Sequence, residues 1–283
     1  PHPMTEMPHP RIDAHLHLWD RSRSQYAWIT PEIGPLYADF GPETVSEPLA
    51  TAGMDGAILV QAEDSLADTR FMLDVAAAHD WVVGVVGWVP LENPRAASVA
   101  LEEWTQHPVF CGVRQLVHMD PRDDVLDSHG ATETLRLISD ANLAFDVPNA
   151  WPRHLPSVRR IAVSNPELTI VLDHLGTPPA GNAALDAWER AVRDVAACPN
   201  VVSKLSGLQH LHGDSLRRVW DVALDAFGPT RLAFGSDWPM TLPQGGYEAT
   251  WRRTTGLLKL LHPTEQTEIL SGTSRRTYRL RTV

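Results

Sequence analysis

Eight short apolar segments recur along this chain of 283 residues and restrict its fold more than any other feature. They are IDAHL from Ile12, GAILVQ from Gly56, VVGVVGW from Val82, FCGVRQ from Phe110, LAFDV from Leu143, LTIVLDH from Leu168, VVSKLS from Val201 and RLAFGSD from Arg231. From the second segment onward they begin 25 to 33 residues apart, which leaves room for one helix between consecutive strands. Continuous apolar runs are typical of parallel strands that are covered on both faces.

The segments between these strands have helical periodicity. In residues 183–198, for example, Leu185, Trp188, Val192 and Val195 would form one apolar face. Eight such units in about 250 residues predict an α/β fold, a single-domain (β/α)8 TIM barrel over residues 11–283. A doubly wound open sheet is the alternative, but no G-x-G-x-x-G follows the first strand, so we expect no nucleotide cofactor. Residues 1–10 are expected to be a disordered N-terminus or an expression-tag remnant.

Composition and charge argue against several classes of function. The formal net charge of -11 argues against a nucleic acid partner, because such binding needs a basic surface. No apolar run approaches the roughly 20 residues of a membrane span, so no membrane partner is expected. Cys111 and Cys198 form no C-x-x-C pair, and the expected location is the reducing cytoplasm. The composition is also compatible with a homo-oligomer.

The connection after the first strand is the exception to the regular spacing. The second strand begins 44 residues after the first, and the segment between them is rich in aromatic residues. Loops of this length in compact domains usually have a function. If this loop crosses the barrel mouth, its aromatic side chains would line a substrate pocket; the alternative is that they only fix the loop to the rim. They are Trp19, Tyr26, Trp28 and Tyr37.

The first strand contains the sequence DAHLH, in which Asp13, His15 and His17 would share one face. A solvent-facing edge strand would explain this alternation equally well. The other explanation is a site at the carboxyl end of a buried strand, where both imidazoles face a metal or a substrate.

Polar residues end most of the other predicted strands. In TIM barrels the functional groups lie at these carboxyl ends. Besides the two histidines, the set comprises Gln61, Glu63, Arg114, Asp146, His174 and Asp237. Lys204 lies within the seventh strand and would either bind an anionic substrate group or pair with a buried acid. His118 and His210 also lie near strand ends, where we expect them to orient loops.

The motifs at these strand ends resemble those of the amidohydrolase superfamily. They are DAHLHLWD from Asp13, GVVGWVPL from Gly84, GVRQLV from Gly112, VLDHLGTP from Val171, SKLSGL from Ser203 and FGSDWP from Phe234. With the closing SGTSRRTYRL they extend over nearly the whole chain. They are most similar to the lactonase branch, which includes fuconolactonase and rhamnonolactonase types, sulfomuconolactonase and pyrone-dicarboxylate lactonase. The motifs are specific for this branch and much less specific for the substrate.

The resemblance implies roles for individual residues. His15 and His17 would line the site and, as in many members, bind a divalent metal. His174 would face the reacting carbonyl, Asp237 would handle the proton of the attacking water, and Arg114 would bind a substrate oxygen. The further predicted substrate contacts are Gln61, Trp28, Tyr37, Lys204 and Trp238.

The metal ligands of the superfamily are incomplete in this chain. Metal-dependent relatives add a histidine from the fifth strand or a carbamylated lysine from the fourth, whereas this chain has FDVPN and FCGVRQ there. A catalytic zinc site normally has three protein ligands and a water. His15, His17 and Asp237 could supply three, with Asp146 or Glu63 as a fourth. We therefore expect one Zn²⁺ or Mn²⁺ ion that binds weakly or is dispensable.

These residues predict a hydrolase that opens a small lactone ring, either a sugar-acid lactone or a related carboxylated lactone, by direct attack of water. Asp237 would be the general base, while His174 and Arg114 would stabilise the oxyanion. The scarcity of candidate cations favours a neutral sugar-acid lactone as the small-molecule partner. Two alternatives are a metal-dependent decarboxylase of an aromatic or muconate acid and a binding protein without catalytic activity.

Overall fold

Eight parallel strands form one sheet in chain order. The computed structural model describes residues 9–281, so most of the predicted disordered segment 1–10 lies outside the described residues. The strands are β1 Ile12–Leu16, β2 Gly56–Val60, β3 Val82–Gly87, β4 Phe110–Arg114, β5 Ala144–Val147, β6 Ile170–Leu172, β7 Val201–Leu205 and β8 Leu232–Phe234. This sequential order confirms the predicted (β/α)8 barrel, because a doubly wound sheet reverses its strand order near the middle.

Helices cover the outside of the barrel. They are α1 Ser46–Ala52, α2 Leu66–Ala78, α3 Pro94–Trp104, α4 His129–Asp140, α5 Leu155–Ser164, α6 Asn182–Ala196, α7 Gly213–Phe227, α8 Gly246–Leu258, α9 Pro263–Thr267 and α10 Thr273–Thr277. Ser65, Asn93 and Ser128 precede α2, α3 and α4, and each side chain accepts a backbone N–H of the first helical turn. None of the described helices has the length and apolar composition needed to cross a bilayer.

Hydrogen bonds between the segments that follow β1 and β8 complete the barrel. The backbone N–H of Asp237 donates to the carbonyl of His15 at 2.8 Å, and the N–H of His17 donates to the carbonyl of Trp238 at 2.8 Å. Because these bonds extend the strand pairing by a few residues, they bring both histidines beside Asp237. The contact between these parts of the site is therefore a consequence of barrel closure.

The register of β1 against β2 shifts between Asp13 and Leu16, within the predicted polar row. The Asp13 carboxylate accepts the N–H of Ser236 at 2.9 Å and the hydroxyl of Tyr247 at 2.9 Å, so it faces β8 and α8. His15 and His17 instead face the barrel interior and are 0% and 5% exposed. The prediction of one shared face was therefore wrong for Asp13, since an irregular strand does not keep strict alternation. The solvent-facing edge is excluded by the burial of both histidines.

A buried ammonium group occupies the barrel interior. Lys204 Nζ donates to Asp146 Oδ2 at 2.6 Å and to His15 Nδ1 at 3.0 Å, and lies 3.2 Å from Asp173 Oδ1. All four side chains are fully buried. Burial alone would lower the pKa of Lys204, but the two carboxylates hold that pKa above its usual value. Of the two alternatives for Lys204, the structure therefore supports pairing with buried acids.

The two acids beside Lys204 differ in their ionisation. Burial raises the pKa of Asp146 to about 7, although Lys204 opposes this effect. Burial also acts on Asp173, but Lys204, His15 and Arg114 together hold the pKa of Asp173 well below its usual range. The cluster thus contains two cations and two acids, of which Asp173 is firmly ionised.

Replacing Lys204 by Met should destabilise the protein strongly, because it leaves buried Asp146 without a cation and Asp173 with Arg114 alone. Removing one partner of a buried ion pair costs about 3–5 kcal/mol of the free energy of unfolding, which urea denaturation would measure. Lys259→Met is the matched control, since Lys259 is the only other lysine and is exposed. Equal stability of the two variants would contradict a structural role for Lys204.

Candidate active site

A cavity of about 270 Å³ opens at the carboxyl ends of the strands. His17, Arg114, His174 and Asp237 contribute polar groups to it. Its apolar lining comprises Trp19, Trp28, Ala62, Leu116, Met119, Pro148 and Met240. An apolar concave site with a few convergent polar groups is typical of small-molecule binding.

The long loop between β1 and α1 forms part of the cavity wall. The Trp28 indole N–H donates to the carbonyl of Ala62 at 2.8 Å, and its ring packs at right angles to that of Trp19. Both tryptophans line the cavity. Tyr37 on the same loop is 44% exposed and stacks with the Arg21 guanidinium outside the cavity.

Tyr26 and Glu63 attach this loop to the end of β2. Glu63 accepts the backbone N–H of Tyr26 at 2.6 Å and also the hydroxyl of Ser24. The Tyr26 hydroxyl donates to Asp68 Oδ1 at 2.5 Å, and burial raises the pKa of Asp68 to about 7. Glu63 and Tyr26 therefore position the loop and do not line the cavity.

Three imidazoles surround the Asp237 carboxylate. Asp237 Oδ1 lies 3.3 Å from His17 Nε2, 3.7 Å from His15 Nε2 and 3.9 Å from His174 Nε2. Burial alone would raise the pKa of Asp237, but His174 and the two other imidazoles hold that pKa below its usual value. Asp237 is therefore an ionised carboxylate on the cavity floor.

Hydrogen bonds assign the ring protons of the two β1 histidines. His17 Nδ1 donates to the carbonyl of Val60 at 2.8 Å, and His17 Nε2 faces Asp237 Oδ1 at 3.3 Å. His15 Nδ1 accepts from Lys204, so its proton lies on Nε2, which is 3.1 Å from His17 Nε2. Burial and the Lys204 charge lower the pKa of His15 well below its usual value, so this ring is neutral.

The segment after β6 forms a left-handed turn. His174, Leu175, Gly176 and Thr177 have φ values of 56°, 53°, 74° and 63°. Non-glycine residues rarely adopt this conformation, and such strain is concentrated at functional sites. The turn directs the His174 ring into the cavity, where its Nδ1 lies 2.7 Å from Ser206 Oγ. Burial lowers the pKa of His174.

The guanidinium of Arg114 lines the cavity, yet protein groups occupy most of its donors. Nε donates to Gln61 Oε1 at 2.9 Å, one terminal nitrogen donates to the Gln61 carbonyl at 2.6 Å, and the other donates to Asp173 Oδ2 at 3.2 Å. The positive charge is therefore neutralised by Asp173. Arg114 retains limited capacity to bind an additional anionic group.

Several residues that the sequence predicts as substrate contacts do not line this cavity. His15, Gln61 and Lys204 are fully buried beneath its floor, where they contact protein groups. Tyr37 lies on the outer surface of its loop. Trp238 packs against Phe40 in a neighbouring groove and does not line this cavity. Of the four aromatic residues predicted on the loop, Trp19 and Trp28 line the cavity.

The cavity also contains polar residues that the strand-end pattern missed. The Thr177 hydroxyl donates to Asn149 Oδ1 at 2.9 Å, which leaves the amide nitrogen of Asn149 free to donate. Both residues line the cavity, as does His118, whose pKa burial lowers to about 4. The sequence predicts that His118 and His210 orient loops. His210 contacts the carbonyl of Pro178 at 2.7 Å, whereas His118 lines the cavity. Asn149 is the last residue of the FDVPN motif, so this motif was the sequence signal that could have identified it.

Two groups of described residues bring potential metal-ligand atoms within 4.8 Å of one another. The first consists of His174 and Asp237, which line the cavity floor, and His15 directly beneath them. The second consists of His15, Asp146 and Asp173, but the Lys204 ammonium already lies among these atoms. The cavity-floor group is therefore the candidate metal site, and His17 Nε2, 3.3 Å from Asp237 Oδ1, is a further possible ligand there.

Known proteins resemble this chain over most of its length. A family model described as Amidohydrolase matches residues 12–280. An L-fucono-1,5-lactonase of Burkholderia ambifaria is 36% identical and covers 84% of this chain and 83% of its own. An L-fucono-1,5-lactonase of Burkholderia multivorans is 32% identical, and the match covers 95% of this chain and 96% of that protein. A crystal structure of an amidohydrolase from Burkholderia multivorans with bound zinc has a TM-score of 0.87 and 30% identity, with 96% and 99% covered.

Replacing Tyr26 by Phe should loosen the loop that carries Trp28. The lost hydrogen bond should lower the free energy of unfolding by about 1–3 kcal/mol and increase proteolytic cleavage within residues 19–40. Because the pKa of Asp68 is about 7 and exceeds its unfolded value, Asp68 is protonated at pH 5 and ionised at pH 8 in the folded state. The bond to the carboxylate is the stronger one, so the loss should be larger at pH 8.

Tyr37→Phe is the control for this substitution, because Tyr37 lies on the same loop and is exposed. An equal effect of both substitutions, or an effect of Tyr26→Phe that does not change with pH, would contradict the proposed attachment.

Proposed function

The chain belongs to the amidohydrolase family, and we propose that it opens the ring of a neutral sugar-acid lactone of the L-fucono-1,5-lactone type by direct attack of water. Lactone hydrolysis follows from the two lactonases that match most of the chain. The observation that carries the chemistry is an ionised carboxylate, Asp237, on the cavity floor 3.9 Å from His174 Nε2. A proton acceptor thus lies beside a group able to polarise a carbonyl.

In the proposed mechanism, a water molecule lies between Asp237 and the lactone carbonyl carbon. Asp237 accepts a proton from this water as the new carbon–oxygen bond forms, and His174 donates a hydrogen bond to the oxygen that becomes negative. The ring carbon–oxygen bond then breaks. Asp237 returns the proton to the leaving alkoxide, which becomes a hydroxyl group of the open-chain acid.

The polar groups of the cavity favour a neutral, hydroxyl-rich substrate. Arg114 is paired with Asp173, and no second cationic Lys or Arg side chain lines the cavity among residues 9–281. A substrate with two carboxylates would need paired cations. Asn149 and Thr177 offer neutral hydrogen-bonding groups for hydroxyls, while the Trp28 ring offers an apolar surface for the methyl group of a 6-deoxy sugar acid.

The cavity-floor ligands are compatible with a single divalent ion. His15 Nε2, His17 Nε2 and Asp237 Oδ1 are 3.1, 3.3 and 3.7 Å apart, close to the edge of about 3.3 Å in a tetrahedral zinc site. Asp173 Oδ1 is buried 3.5 Å from His15 Nδ1 and has no hydrogen-bond partner among residues 9–281. It could accept a hydrogen bond from Nδ1–H if Nε2 bound a metal. Such an ion would polarise a carbonyl or acidify a bound water.

Lys204 counteracts metal binding at this site. Its hydrogen bond to His15 Nδ1 keeps the ring proton on Nε2, which is the atom that a metal would need. An ion must therefore displace this proton and disturb the buried ammonium group. This supports the prediction that a Zn²⁺ or Mn²⁺ ion binds weakly or is dispensable for turnover.

The decarboxylase alternative lacks support in this site. Related decarboxylases use a metal and a histidine from the fifth strand, whereas Asp146 occupies β5 here and is bound to Lys204. A binding protein without activity would have no need for the proton acceptor Asp237. We further propose action in the cytoplasm, since Cys111 and Cys198 are buried free thiols.

A pH-indicator screen tests the proposed function directly. Purified protein should release acid from L-fucono-1,5-lactone and related sugar-acid lactones faster than from muconolactones or pyrone dicarboxylates. Release of carbon dioxide from aromatic acids would support the decarboxylase, and binding without turnover would support the binding protein. Activity on simple amides or phosphoesters without any lactone would contradict the proposal.

Asp237→Asn should lower kcat by about 10²-fold or more, because it preserves the shape of the side chain and removes the proton acceptor. Circular dichroism should confirm an unchanged fold. Asp80→Asn, at an exposed aspartate outside the cavity, should leave kcat unchanged. A folded Asp237→Asn enzyme with more than half of the original activity would refute the role of general base.

Removal of metal should leave most of the lactonase activity intact. The protein would be treated with chelator, its metal content checked by elemental analysis, and its kcat measured with and without added Zn²⁺ or Mn²⁺. His15→Ala and His17→Ala should each reduce activity of the stripped protein, whereas His129→Ala, at a highly exposed position, should not. Near-complete loss on stripping with recovery on adding metal would show that the ion is required.

A further inference from the structure

Ser206 lies just beyond the carboxyl end of β7 and contacts a ring nitrogen of His174, yet the mechanism above assigns it no role. Its Oγ is 2.7 Å from His174 Nδ1. The residue is 4% exposed and does not line the substrate cavity. Its hydroxyl therefore cannot attack a substrate, and its influence on the reaction must pass through the imidazole.

The burial of Ser206 determines the direction of this hydrogen bond. Among the described residues, His174 Nδ1 is the only hydrogen-bond partner of Ser206 Oγ. If Nδ1–H donated to the serine, the buried hydroxyl proton would have no acceptor among the described residues, which is unfavourable. If the hydroxyl donates instead, both atoms are satisfied and the proton of a neutral His174 ring lies on Nε2.

We propose that Ser206 is a positioning residue that holds His174 as the Nε2–H tautomer, so that a neutral imidazole donates its hydrogen bond to the lactone oxyanion. Nε2 is the ring nitrogen that faces Asp237 across the cavity floor. In the opposite tautomer, Nε2 would direct a lone pair at the developing negative charge and repel it. The oxyanion step rests on the proposed lactonase function, whereas the tautomer is a property of the folded protein.

The residue after Ser206 restricts the same ring. A Cβ atom added to Gly207 would lie 2.6 Å from Cγ and Nδ1 of His174, and Gly207 has a φ of +61°. On its other side, the ring is fixed by the left-handed turn that begins at His174. The imidazole therefore has little freedom to rotate away from Ser206, and the hydroxyl can select between its two tautomers.

The test combines kinetics with nitrogen NMR of the histidine rings. Long-range ¹H–¹⁵N correlation spectra distinguish protonated from unprotonated ring nitrogens, and loss of a signal in His174→Asn identifies the His174 resonances. We expect Nε2–H in the wild-type protein. Ser206→Ala should populate the Nδ1–H form and lower kcat for the lactone roughly tenfold, with little change in KM.

Ser203→Ala is the matched control. Ser203 lies within β7, three residues before Ser206, and is also buried. Its hydroxyl donates to the carbonyl of Leu172 at 2.7 Å, and the residue does not line the cavity. It should change neither the His174 tautomer nor kcat. If Ser206→Ala does not fold, Ser206→Cys provides a weaker donor of similar shape and should give an intermediate mixture of tautomers.

A wild-type protein with His174 as Nδ1–H would overturn the proposal. So would a Ser206→Ala protein that keeps the Nε2–H form, whatever its kcat, or a Ser203→Ala protein with the same kinetic loss, which would indicate a general effect of packing. If the wild-type enzyme opens no lactone, the proposed function fails, but the NMR spectra still decide whether Ser206 sets the tautomer.

Discussion

The buried ammonium group of Lys204 is the interaction on which the rest of the site depends. An isolated charge in a protein interior is strongly unfavourable, so the ammonium must be surrounded by partners. Those partners come from different parts of the barrel: Asp146 from β5, Asp173 from the end of β6, and His15 from β1. The contacts therefore hold the carboxyl-terminal parts of these strands together inside the barrel. They form a polar layer beneath the cavity.

The reactive groups lie directly above this layer. Lys204 orients His15, the Nε2 atoms of His15 and His17 lie 3.1 Å apart, and both rings lie beside Asp237. Backbone hydrogen bonds between residues 15–17 and 237–238, which close the barrel, also bring the two histidines beside Asp237. Two independent constraints thus hold the carboxylate against the imidazoles. Such preorganisation is what electrostatic stabilisation of a transition state requires.

The surroundings of Arg114 link the buried layer to the choice of substrate. Together with Lys204, its positive charge balances the two acids Asp146 and Asp173. Its N–H donors bind mainly Gln61 and Asp173. A guanidinium employed in this way offers little to a second anionic group. The remaining cavity residues provide neutral donors and aromatic surface, and this is the basis for proposing a neutral sugar lactone and not a dicarboxylate.

The sequence by itself determined the barrel and directed attention to the polar residues at its strand ends. Regularly spaced apolar runs specify parallel strands, and functional groups in this fold lie at the carboxyl ends of the strands; that rule selected His17, Arg114, His174 and Asp237, which the structure brings to one cavity. Tertiary structure alone decided the direction and partner of each remaining side chain. The register shift in β1 directs Asp13 away from the two histidines. Lys204 pairs with Asp146 of β5 and with Asp173 after β6. Ser206 contacts His174, which precedes it by 32 residues in the chain. These outcomes depend on contacts between segments far apart in the chain, which local periodicity does not encode.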